Sequence, residues 1–173
     1  MPKNAPETPT FPINCVFSAL RASPWLTQSV LIWDWSYQTR NDDDDQLIRA
    51  HGKIATDFDH DGEGWHEILA IVGSHNGDQI TGLVPAGQSI PGNDPYEGDN
   101  RIKSIFSRED KAQLSKNGFQ YKLEDGSYAN VFFGSFFDPP SYVEFHSRPP
   151  FPDGAIAPNT EVPIEFIAIP DLC

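Results

Sequence analysis

Glu67-Ile68-Leu69-Ala70-Ile71-Val72, then Asn76-Gly77, then Gln79-Ile80-Thr81-Gly82-Leu83-Val84, is the stretch that decides the fold. The first run is long enough for a buried strand and too short for a typical helix. Asn-Gly between two strand-like runs is the strongest short-range hairpin signal, because a type I′ turn needs positive φ at both central positions. The pattern recurs downstream. Phe119-Gln120-Tyr121-Lys122-Leu123 alternates strictly, Glu124-Asp125-Gly126-Ser127 turns, and Tyr128 to Phe133 returns as a second hairpin.

Upstream, Val30-Leu31-Ile32-Trp33-Asp34-Trp35-Ser36-Tyr37 places Trp33, Trp35 and Tyr37 on one face, as a half-buried strand requires. Residues 47–56, 141–146 and 162–169 add three more strands, about eight in all. Sixteen prolines and thirteen glycines punctuate them. Ser107, with Asp110 at the fourth position of its Ser-x-x-Asp pattern and Gly118 beyond, predicts one short helix near 108–116. The expected fold is all-β: an antiparallel β-sandwich or a partly closed barrel with that one helix. Residues 1–14 read as an irregular lead-in and 15–173 as a single antiparallel β-domain.

Charge narrows the partners. Twelve basic against 25 acidic residues give a net charge of −13. Nucleic acid and anionic membrane surfaces both demand a positive face and are excluded as expected partners. No run of about 18 apolar residues exists, so no helix is expected to insert in a membrane. The N-terminal residues carry no signal-peptide core. Cys15 and Cys173 stand as two free thiols or, since chain ends often lie close together, as one disulfide.

The chemistry-bearing candidate is Asp57-Phe58-Asp59-His60-Asp61-Gly62-Glu63. Alternating carboxylates closed by glycine are how loops supply oxygens to Ca²⁺. Asp57, Asp59, Asp61, Glu63 and Glu67 form the candidate metal set, and calcium is the candidate cofactor. The twelfth position, where an EF-hand loop carries its bidentate Glu, is Ile68, with Glu67 one residue early. The competing reading is a plain acidic turn, because Asp bonds its own backbone and Gly takes positive φ. His60, His66 and His75 are close in sequence but lack His-Glu-x-x-His spacing, and His66 and Glu67 point to opposite sides of a strand. Trp65 and Tyr96 are candidate ligand-binding aromatics for a carbohydrate or protein ligand, Tyr96 because it sits in the long 85–100 loop. No nucleophile elbow or phosphate-cradling loop occurs, and no catalytic residues are assigned.

Gly64 to Ser74, Asn76-Gly77, Ile80 to Gly87 and Gly92-Asn93-Asp94, followed by Asn117-Gly118-Phe119 and Asp125 to Phe133, form a recurrent pattern. Over residues 47–135 it resembles the β-rich bacterial, cyanobacterial-type domains that often precede a PEP-CTERM sorting tail. That resemblance implies a β-sandwich-like domain of secreted or cell-surface origin, with no catalytic residues to carry over. The resulting expectation is a non-enzymatic structural or ligand-binding β-domain, stabilised by a Ca²⁺-type cation at 57–63 or simply turning there. The alternative is a small metal-dependent enzyme using the Asp57–Glu67 region.

Overall fold

The alternating runs become nine strands: β1 (Val30–Thr39), β2 (Arg49–Asp57), β3 (Trp65–His75), β4 (Asp78–Leu83), β5 (Arg101–Lys103), β6 (Phe119–Leu123), β7 (Tyr128–Gly134), β8 (Ser141–Ser147) and β9 (Glu161–Pro170). The computed structural model describes residues 29–39, 47–105, 112–151 and 161–171. The 1–14 lead-in, Cys15, Cys173, Ser107 and Asp110 lie outside them. All eight strands anticipated from the sequence are present, and β5 is an addition.

Eight strands close into one antiparallel barrel. β1 pairs with β2, β2 with β3, β3 with β4, β4 with β6, and β6 through β9 pair in order, before β9 returns to β1. Closure removes the unpaired edges that an open sheet would present. The hairpin at 76–77 has the expected geometry, with φ of 49° at Asn76 and 94° at Gly77. The sequence left sandwich and barrel open, and the β1–β9 pairing decides for the barrel.

An eight-stranded barrel is just wide enough to be filled by side chains. Trp33, Trp35 and Tyr37 from β1, Phe119 and Tyr121 from β6, and Phe166 from β9 do so, all within one buried cluster. Gly52 and Gly73 face each other across β2 and β3, opposite Trp35. A Cβ on Gly52 would lie 2.0 Å from the carbonyl oxygen of Val72, so only glycine permits this approach.

β5 lies outside the ring, paired with the first residues of β3, and Leu114 bridges Ile102. Together they plug one end of the barrel. Over 112–116 this plug takes the place of the end of the helix expected near 108–116. Residues 106–111 lie outside the described residues, 112–116 are not helical, and no helix occurs among the described residues. The reason is competition for backbone groups. The Gln113 carbonyl accepts from Lys103 N–H, and its side chain bonds both Ala168 N–H (2.9 Å) and Ala168 C=O (2.7 Å). Strand-like partners thus take the groups that a helical turn would have used.

The 84–100 segment covers the outer face of β7 and β8. Ile90 packs there on Phe132, Val143 and Phe145, with Val84, Tyr128 and Phe137 at the margin. These strands are therefore buried on both faces.

Two backbone positions test this fold. Gly77→Val forces a β-branched residue to positive φ and is expected to destabilise by about 1–3 kcal/mol. Gly52→Ala overpacks the β2–β3 crossing and should lower stability by about 1–3 kcal/mol. Gly62→Ala, where an added Cβ meets nothing within 4 Å, should leave the denaturant midpoint unchanged.

Candidate functional site

The acidic loop connects β2 to β3 at the plugged end. Its carboxylates are drawn into the turn itself. Asp61 Oδ1 accepts the N–H groups of Glu63 (2.8 Å) and Trp65 (3.0 Å), and its Oδ2 pairs with Arg101. Asp57 Oδ1 accepts Glu67 N–H at 2.7 Å. Asp59, Glu63 and Glu67 are exposed. The five candidate ligands therefore share one loop region, but their carboxylates are not gathered into a common group of donor atoms. The N–H of Trp65, then that of Glu63 and the Arg101 charge, hold the Asp61 carboxyl below its usual range.

Trp65 is half-buried beside this loop, with the Arg101 guanidinium 5.7 Å and the Lys103 ammonium 5.9 Å from its ring centroid. Tyr96 is 62% exposed on the covering loop. These cations over the indole face give Trp65 electrostatic partners that its sequence neighbours did not disclose.

His66 and His75 both point into the barrel, at opposite ends of β3. Nine residues of strand at about 3.3 Å each separate them by roughly 30 Å, so they cannot share an ion. His66 contacts Trp33 edge-on at 5.6 Å. His75 instead meets a constellation that the sequence analysis missed. Glu144 on β8 is wholly buried, and His75 Nε2 lies 3.1 and 3.0 Å from its two carboxylate oxygens. Tyr37 donates its hydroxyl proton to Glu144 Oε2. Tyr121 Oη is 2.5 Å from Tyr37 Oη; with the Tyr37 proton committed to the carboxylate, Tyr121 is the donor of that pair.

His146 follows two residues after Glu144 on the same strand face, its ring centroid 4.8 Å from that of His75. Its Nε2 is 3.0 Å from Ser127 Oγ, and Ser127 is bonded to Asp125 at 2.5 Å. Burial first, and then the Glu144 charge, push the Tyr37 and Tyr121 phenols up, so both stay neutral. Burial also lowers the proton affinity of His146, against the pull of Glu144.

Four strands thus deliver a carboxylate, two imidazoles and two phenols to the unplugged end of the barrel. The signal was present as Glu144-Phe145-His146, a polar pair two residues apart. The sequence analysis read 141–146 only as a strand, and its alternation with Val143 and Phe145 does not by itself say which face is inside. No protein-family model, curated protein or solved structure matches the chain.

Two outcomes follow. Tyr37→Phe leaves Glu144 without one donor and Tyr121 without its acceptor, so it should destabilise by about 1–3 kcal/mol in denaturant unfolding. For Asp61, the depressed folded pKa means the unfolded chain binds more protons below its ordinary value of 3.8. Its contribution is complete above that value and is lost as pH falls through the folded one. Asp61→Asn should lower stability near neutrality, and the parent and variant curves should converge as pH falls below about 4.

Proposed function

We propose that this chain is a non-enzymatic binding module, with a filled barrel as scaffold and its ligand surface on the outside. One observation carries the reading: among the described residues, the barrel interior beside the polar cluster is occupied by its own aromatic rings. Enzymes bring convergent polar groups to a pocket that holds the reacting molecule. The depressions found here, of about 540 and 430 Å³, are open and lie against the outer face of β1, β2 and β9.

The acidic loop serves in this proposal as a turn that presents Trp65. Its main-chain hydrogen bonds to Asp57 and Asp61 favour that role over calcium coordination. Trp65 is the surface that would take a ligand, and the apolar face of a carbohydrate ring or a protein segment fits its indole. The resemblance to PEP-CTERM-associated domains agrees with a module of this kind and with a secreted or cell-surface setting.

The test has two arms. A lipophilic probe such as a fatty acid should not bind, whereas a neutral oligosaccharide should perturb Trp65 fluorescence, with the response lost in Trp65→Leu. Saturable fatty-acid binding that perturbs Trp33 and Trp35 would overturn the filled-scaffold reading. Millimolar calcium should leave the melting temperature of the parent and of the Asp57→Asn, Asp59→Asn, Asp61→Asn triple variant unchanged. A calcium-dependent rise in the parent alone would restore the loop as a cation site.

A further inference from the structure

The polar cluster at the unplugged end has no part in the ligand surface just described, yet its chemistry is specific. Among the described residues, His75, Glu144 and His146 form the one group of three metal-competent side chains, with ligand atoms all within 4.8 Å of one another. We propose that these three residues bind a divalent transition-metal ion of the Zn²⁺ or Co²⁺ class.

Donor type is the first argument. Two imidazoles and a carboxylate suit zinc and its first-row neighbours, whereas calcium takes an all-oxygen set. Spacing is the second. Metal–ligand bonds of about 2.0–2.2 Å put the donors of one ion roughly 3–3.5 Å apart. His75 Nε2 and the Glu144 oxygens are already at 3.0 and 3.1 Å. The His146 donor lies within 4.8 Å of the other two, so a small approach completes the set.

Charge is the third argument. Two imidazoles with ring centroids 4.8 Å apart repel if both are protonated. Metal binding needs neutral rings and releases any proton they hold. A dication then takes the place of the proton between His75 and Glu144 and offsets the buried carboxylate charge.

The surroundings already hold these ligands in orientation. Tyr37 bonds Glu144 Oε2, backed by Tyr121, and leaves Oε1 for the ion. Ser127, anchored by Asp125, bonds His146 Nε2. If His146 donates its Nε2 proton there, the lone pair is on Nδ1. Hydrogen bonds of this kind fix the tautomer and orientation of metal-binding histidines. His146 is partly exposed, so an ion would reach the group from its side.

The experiment uses the full chain, stripped with chelator and titrated with Co²⁺. Expected are about one tightly held ion per chain by elemental analysis after gel filtration, and its displacement by Zn²⁺. In the wild-type protein, the imidazole NMR signals of His75 and His146 should show the large contact shifts of rings bonded directly to Co²⁺. Those of His51, His60 and His66 should not. His146→Ala should weaken retention by at least about a hundredfold, more than loss of a supporting hydrogen bond does. The acidic-loop triple variant should retain the ion fully. Absence of retained metal, paramagnetic shifts confined to His51, His60 or His66, or equal retention by His146→Ala would each overturn the proposal. The NMR comparison needs no variant, so it decides the matter even if His146→Ala fails to fold. Fatty-acid binding would overturn only the scaffold reading, so the two proposals fail separately.

Discussion

Glu144 is a carboxylate with no access to water, and the barrel around it is arranged to make that tolerable. An unpartnered charge at such a depth is strongly unfavourable, so its oxygens must be met by donors held in place. Tyr37, backed by Tyr121, meets it from one side and His75 from another. These partners come from β1, β6 and β3, and Glu144 itself from β8. The requirement therefore couples alternate strands across the lumen, which ladder hydrogen bonds between adjacent strands do not. A shift of any one strand by a single residue would turn its partner outward and leave the carboxylate exposed to an apolar interior. Buried networks of this kind favour a single register only when every member is satisfied.

Aromatic packing supplies the rest of the interior. Trp35 stacks on Tyr37 and meets Phe119 edge-on, and Phe119 in turn contacts Phe166. Large rings at this density need small residues opposite them, and the Gly52–Gly73 pair across from Trp35 provides that room. The two ends of the barrel then differ in character. One is closed by Ile102, Leu114 and the Gln113 clamp on β9. The other ends in His75, His146 and Ser127. An apolar plug at one end and titratable groups at the other make the polar end the chemically distinctive one.

The 84–100 segment explains why that end was hard to find from the sequence. A strand with one wet face reads as apolar-in and polar-out. On β8, Val143 and Phe145 fit the inward set and Glu144 and His146 the outward one. The assignment is reversed in the folded chain. Val143 and Phe145 face outward and are buried by Ile90 from the covering segment, while Glu144 and His146 point into the lumen. Residues 112–116, the end of the helix expected near 108–116, are not helical for a related reason. A capping pattern is a local preference, and strand-like partners on Lys103 and Ala168 outcompeted it.

What the sequence by itself determined is local. Asn76-Gly77 imposed a hairpin because few residue pairs tolerate two successive positive φ values. The Trp33-Trp35-Tyr37 alternation imposed a strand with one buried face, whereas the Asp57–Glu63 run left turn and cation site open. Only the tertiary structure decided that the sheet closes through β1 and β9, that the 84–100 segment covers β7 and β8, and that His75 meets Glu144 across 69 residues of chain. Dihedral preferences and alternation act over a few residues and are written in the sequence. Which face of a strand is the interior depends on what else covers it, and that is a property of the assembled barrel.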